Sequence, residues 1–339
     1  MHSSTSSFSQ APLSECPVRS LLIGIFAFLV ICLVTEHFWR ELGHNPTISD
    51  TKEFWAWHRR HANVPQALVL IGTSRGQCGF DHDALRSAFP EKRLIQLCVA
   101  ANSPVATLRD FANDQAFRGD ILCDISEPFI EKRQWHEQQP YIDYYRNQPT
   151  PLPFAEAAVT SWLECQFAFM SAKLKPREIM KSVFERRSWP TPDIRIVDFR
   201  RFRQMKITAG TVDGELPRLL SKLTHQLGTQ QHSPDDWQRD VKELAKVVHS
   251  LTTRGCRVVF IRFPTSGPRV EIDETAFPRK FFWDVFTREI GAPCVHFLDY
   301  SPMESITCPD MSHMTPESAR LFTTELLNTL KNDLAVNLE

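Results

Sequence analysis

Apolar positions fall into three patterns along the chain. One long apolar run, Leu21 to Val34, stands near the start. Short apolar-rich runs bounded by turn residues follow at Ala67–Ile71, Arg93–Val99, Asp120–Ile125, Val258–Phe263 and Cys294–Leu298. Stretches with apolar residues three and four apart lie between them, at Asp50–His61, Asp83–Ala88, Val105–Ala116, Asp235–Thr253, Phe277–Ile290 and Pro316–Lys331. Short bounded runs read as buried strands, and the 3.6-residue period reads as amphipathic helix. Their alternation predicts an α/β fold with a mostly parallel sheet covered on both faces.

The long run predicts a membrane anchor. From Val18 to Trp39, with Arg19 snorkelling and Phe38 and Trp39 at the far interface, a helix is about 33 Å long and spans a bilayer. A cleaved signal peptide is the rival reading, but Glu36-His37-Phe38-Trp39-Arg40 offers no small-x-small cleavage site. Flanking charge does not orient the anchor, because Arg19 on one side is opposed by Arg40, Arg59 and Arg60 on the other. The predicted organisation is a short tail over 1–17, an anchor over 18–39 and an α/β domain over 49–331. An insertion at about 128–232 interrupts that domain, marked by the proline-rich breaks Pro149–Pro153 and Trp189–Pro192. Its Trp, Phe and Met content predicts packed helices, and its place after the third strand predicts a position near the active face.

Composition removes several functions. A net charge of −1 over 339 residues, with Lys and Arg spread evenly, gives no footprint for nucleic acid. No Walker A loop or dinucleotide-binding glycine pattern occurs, so no nucleotide cofactor is expected. The nine cysteines include no Cys-x-x-Cys pair, and Cys98, Cys123 and Cys256 read as small buried hydrophobes. Asp81-His82-Asp83 reads as a helix cap rather than a metal site, and no metal or other cofactor is expected.

The candidate chemistry lies in two segments almost a chain length apart. Gly72-Thr73-Ser74-Arg75-Gly76 leaves the carboxyl end of the first predicted strand, where open α/β sheets carry their sites. Asp310-Met311-Ser312-His313 precedes Thr315 and Pro316, which read as the N-cap and first residue of the last helix. A serine hydroxyl becomes a nucleophile when an imidazole takes its proton, and a carboxylate must orient that imidazole. Ser74, His313 and Asp310 fit those roles. Gly72 and Gly76 permit a tight turn, with the Ser74 N–H as first oxyanion donor. Arg75 and Arg262 are candidate contacts for an anionic or sugar substrate, pairing with carboxylates being the commoner fate of such residues.

Three blocks, Val69–Asp81 (VLIGTSRGQCGFD), Leu97–Val105 (LCVAANSPV) and Cys308–His313 (CPDMSH), resemble the successive motifs of membrane-anchored SGNH/GDSL-type hydrolases. The similarity runs over roughly 49–329. The resemblance implies a flavodoxin-like three-layer α/β/α fold with Ser74 as nucleophile, His313 as base and Asp310 as its orienting carboxylate. The oxyanion glycine of that family falls at Ala101 and its oxyanion asparagine has no counterpart in Asp120–Glu127, with Asn102 the candidate substitute. The implied activity is that of an esterase or O-acyltransferase working through an acyl-serine. Its implied substrates are acylated glycans or lipids of the cell envelope, with a membrane-bound acyl-transfer partner as a further possibility. The α/β domain is then placed on the periplasmic or extracytoplasmic side. The alternative is a catalytically impaired relative that binds glycan or a membrane partner.

Overall fold

In a computed structural model of the chain, residues 17–148, 150–185, 188–206 and 233–334 are described, together with 217, 218, 220, 221, 336 and 338. The predicted tail and most of 207–232, the last part of the predicted insertion, lie outside the described residues.

The chain begins with α1 (Pro17–Glu41), whose apolar window is wholly unburied and long enough to cross a membrane. A short extended segment leads to α2 (Lys52–Arg60), capped by the Thr51 side chain. Then follow β1 (Ala67–Ile71), α3 (Ser74–Gly79), α4 (His82–Ala88), β2 (Arg93–Gln96), α5 (Val105–Asn113) and β3 (Asp120–Asp124). After the insertion come α10 (Pro234–Thr252), β6 (Val258–Arg262), α11 (Pro268–Ala276), α12 (Trp283–Glu289), β7 (Cys294–His296), α13 (Ser301–Glu304) and α14 (Pro316–Asn332).

The strands pair in the order β2-β1-β3-β6-β7, every pair parallel. Alternate residues of each strand feed separate cores. Val69, Ile71, Ile121, Cys123, Val258 and Phe260 pack with α2, α5, α10 and α12. Leu68, Leu70, Leu122, Val259, Ile261 and Val295 pack with Leu85 of α4 and with Phe322, Leu326 and Leu330 of α14. Burial on both faces is why these strands read as unbroken apolar runs rather than as alternating ones. The strand order reverses beside β1, so the turn after β1 opens at the switch point of the sheet.

Most predicted elements have their expected positions, with instructive exceptions. β2 ends at Gln96, although Leu97 and Val99 continue to donate to Leu70 and Gly72 of β1 and its turn. The helix predicted over Phe277–Ile290 is split. Pro278 caps a 3-10 turn over Arg279–Phe281, and α12 begins only at Trp283. The insertion is not wholly helical. It contains α6 (Glu127–Ile130), α7 (Gln139–Asn147), α8 (Leu152–Gln166) and α9 (Pro176–Glu185), but also an antiparallel pair, β4 (Arg195–Val197) with β5 (Arg203–Met205). Strands of three residues are too short to leave a period in the sequence.

Two buried arginines tie elements outside the sheet in place. Arg201, in a left-handed turn at φ 67°, is fully buried. It donates to the Gln96 and Cys98 carbonyls and to the Asp50 carboxylate, at 2.8, 3.1 and 2.7 Å. One insertion residue thus holds the segment after α1 against the carboxyl end of β2. On the opposite end, Arg59 of α2 is buried between Asp110 and Asp114 of the α5 region. Cys98, Cys123 and Cys256 are buried as expected.

His296 supplies a pH-dependent term. Burial, reinforced by Arg262 and Arg279, lowers its pKa from 6.5 to about 2. Its Nδ1 accepts from the Leu298 N–H at 3.2 Å, which requires an unprotonated nitrogen. The unfolded chain therefore binds a proton across this window that the folded chain refuses. The stabilisation is complete above pH 6.5 and is lost as pH falls toward 2, at up to about 1.4 kcal/mol per unit from this group. His296→Gln should flatten the fall of the urea midpoint between pH 7 and 4.

Candidate active site

Ser74 is the first residue of α3, directly after the turn that leaves β1. Thr73 caps the helix, its Oγ1 accepting from the Arg75 N–H at 3.1 Å. As first residue, Ser74 has no intrahelical acceptor for its own N–H. That N–H remains a candidate oxyanion donor.

The loop before α14 brings the other two residues to it. Asp310 Oδ1 accepts from the Ser312 and His313 N–H groups at 3.0 and 2.7 Å, which closes the loop on itself. Its Oδ2 lies 2.7 Å from His313 Nδ1, and His313 Nε2 lies 2.8 Å from Ser74 Oγ. Thr315 caps α14 through the Ser318 N–H, as the sequence predicts. Burial raises the Asp310 pKa, but the His313 ring and the two N–H groups outweigh it and hold the group below its ordinary value. Asp310 is therefore an anion at neutral pH. It accepts from Nδ1–H and leaves Nε2 free to accept the serine proton.

Asp124, at the end of β3, was not foreseen. Its Oδ2 accepts from the Thr73 N–H, the Thr73 hydroxyl and the Gly76 N–H at 2.9, 2.7 and 2.8 Å. The carboxylate is 1 % exposed and fills the space where side chains at Gly72 and Gly76 would stand. A Cβ at those positions would lie 2.5 and 2.8 Å from Asp124 Cβ, and Gly72 has φ 151°. The glycines are thus required by the approach of Asp124 as well as by the turn. The Gly76 N–H is consumed inside the turn and is no oxyanion donor. The only sequence signal was an acidic residue closing an otherwise apolar strand.

Ala101 and Asn102 lie in the loop after β2, which pairs with β1. Ala101 has φ 60°, the left-handed region in which a glycine is unstrained. Ala101→Gly should raise stability by about 1 kcal/mol, read as a urea midpoint shift with unchanged slope. The Asn102 N–H donates to Val99 at 3.3 Å and its carbonyl accepts from Gln138 at 3.3 Å, a turn role. Gln138 is fully buried, and its amide also donates to the Gly72 carbonyl at 3.2 Å. One insertion side chain therefore joins the two loops that border Ser74, consistent with the expected placement of the insertion near this face.

The two candidate arginines differ. Arg262 is buried, bound to Glu127 at 3.0 Å and Asp273 at 2.9 Å, and held charged by them. Its donors are committed to structure, which corrects the substrate-binding expectation. Arg75 is buried beside Ser74 and donates through Nε to Ser312 Oγ at 3.4 Å. No carboxylate pairs with it among the described residues. Burial, with Arg269 and Arg262 nearby, lowers its pKa to about 9, so it is charged at neutral pH. Among the described residues no cluster of three metal-ligating side chains occurs. Asp81 caps α4 through the Ala84 N–H.

No known family profile matches the chain, and no curated protein matches it.

Proposed function

We propose that this chain is a membrane-anchored serine esterase or O-acyltransferase of the SGNH/GDSL type. It acts on ester-linked acyl groups of cell-envelope glycans or lipids. The observation that carries the reading is the continuous hydrogen-bonded series from Ser74 through His313 to Asp310, assembled from residues 239 positions apart.

His313 Nε2 removes the Ser74 proton as Oγ attacks the ester carbonyl. The Ser74 N–H, with a loop N–H near Ala101, stabilises the oxyanion. His313 then passes its proton to the leaving alkoxide, and the C–O bond of the substrate breaks to leave an acyl-Ser74 ester. Water or a sugar hydroxyl reverses the sequence, giving a free acid or a new ester. Both outcomes use one intermediate. Asp310 keeps the imidazole in the required tautomer and stabilises it when protonated.

The membrane reading rests on α1. Asp50, nine residues beyond α1, bonds to Arg201 and to Gln77 of α3 at 2.7 and 2.8 Å. The route from the anchor thus leads to the nucleophile helix, which suits a substrate at the membrane surface. We place the α/β domain on the extracytoplasmic side, and a reporter fused after Glu339 that works only in the cytoplasm would overturn that.

A fluorophosphonate probe should label the full chain in detergent and fail to label Ser74→Ala. Absence of labelling in the wild type, with a short acyl ester also unhydrolysed, would favour a glycan- or partner-binding protein without turnover. Arg75→Gln should raise KM for an anionic or sugar substrate roughly tenfold or more, while a short neutral ester is affected less.

A further inference from the structure

The insertion exposes an apolar face beside the end of α1. On α9, Met180, Val183 and Phe184 are 59, 36 and 75 % exposed. Their spacing of three and four puts them on one side of the helix. Trp189, four residues beyond α9, is 58 % exposed, and Trp162, near the end of α8, is 53 % exposed. Single exposed apolar side chains are ordinary, but several of this size on one helix face mark an interaction surface.

Contacts with α1 fix the level of this face. Glu36 accepts from the Ala168 and Phe169 N–H groups at 3.0 and 3.2 Å, and Arg40 donates to the Gln166 carbonyl at 3.2 Å. Trp39 is buried against Ala168 and Leu174, with Ile179 of α9 packed on the same cluster. Phe38 and Trp39 meet the Trp189 ring edge-on, at 6.2 and 6.0 Å between centroids. Glu36 to Arg40 is where the apolar stretch of α1 gives way to charge, the depth at which a spanning helix leaves hydrocarbon. The insertion grips α1 at that depth.

The geometry points to a second membrane contact: α9 and Trp189 lie in the interface of the bilayer that α1 crosses, with Met180, Val183 and Phe184 immersed at the headgroup boundary. The inference rests on α1 being a membrane anchor. The occupant is lipid rather than a second protein because the segment that carries the face is packed on α1, Trp189 against Phe38 and Ile179 against the Trp39 cluster, at the depth where α1 leaves hydrocarbon. Arg177 and Lys181 on α9 are balanced by Glu178 and Glu185. Apolar burial therefore drives the contact, and it should be insensitive to salt. An anchor alone leaves the domain free to rotate about one helix, whereas a second contact fixes which side of the domain meets the membrane.

The test uses the full chain in phosphatidylcholine–phosphatidylglycerol vesicles, with Cys16, Cys32, Cys165 and Cys294 replaced by serine. Nitroxides are placed singly through Met180→Cys, Phe184→Cys, Leu29→Cys in α1 and Lys246→Cys on exposed α10, and accessibility to oxygen and to a water-soluble nickel chelate is measured. All four positions are exposed, so the fold is retained. The expected result is a several-fold loss of nickel accessibility at 180 and 184 relative to 246, with oxygen accessibility like that at 29. Lipid-like behaviour at 29 with water-like behaviour at 180 and 184 overturns this inference and leaves the anchor standing. Water-like behaviour at 29 removes the anchor and the inference together. Exclusion of both reagents at 180 and 184 overturns it in favour of a protein cover.

Discussion

Ser74→Ala is expected to lower turnover of a short acyl ester by about 10⁴- to 10⁶-fold with the fold intact. The side chain is half-buried and its hydrogen-bond partner is His313, so its removal leaves no orphaned core group. The same loss is expected for His313→Ala, because a serine without a base is as inert as a base without a serine. The diagnostic result is the double variant. Groups that act as one unit are not additive, so Ser74→Ala with His313→Ala should be no slower than either alone. Kinetics on the purified full chain, with urea unfolding as the control, supply the measurement. Activity equal to wild type in both single variants would remove Ser74 and His313 from the chemistry.

The second large effect is expected at Asp124. Asp124→Ala leaves the Thr73 N–H, the Thr73 hydroxyl and the Gly76 N–H without their acceptor in a dry site. Each such loss costs about 1–3 kcal/mol, and the total is expected at about 3–5 kcal/mol after partial relaxation. Asp124→Asn keeps an oxygen acceptor of the same shape and should lose much less. The amide nitrogen would replace Oδ1, which has no hydrogen-bond partner among the described residues. Asp124 is a positioning residue, since it holds the backbone that carries Ser74. Its alanine variant should therefore lower kcat more than it raises KM, and Asp124→Asn should restore most of kcat. Equal stability of all three proteins in urea would show that the turn does not depend on this carboxylate.

These two predictions differ in how far the sequence alone could supply them. Ser74, Asp310 and His313 were legible because each stands in a local frame that announces it: a strand end and glycine turn for one, a capped helix start for the others. Asp124 was not. It closes a strand whose other residues signal burial only, and its partners lie 48 to 51 residues away. Gln138 and Arg201 were missed for the same reason, since both come from an insertion whose path the pattern of apolar residues does not determine. Arg262 is the reverse case. Its strand-end position left substrate contact and carboxylate pairing both open, and only the fold brings Glu127 and Asp273 to it.

By itself the sequence determined where along the chain the sheet strands and most of their covering helices lie, the long apolar helix at the start and the residues able to form a triad. Periodicity, caps and turn residues are local, so the chain carries them wherever it folds. Tertiary structure decided the strand order, the 2.8 Å approach of His313 to Ser74, the burial of Asp124 beneath the turn that carries Ser74 and the commitment of Arg262 to ion pairs. Those outcomes depend on distant segments meeting in a shared low-dielectric space, where each buried polar group must find a partner that its neighbours in sequence do not name.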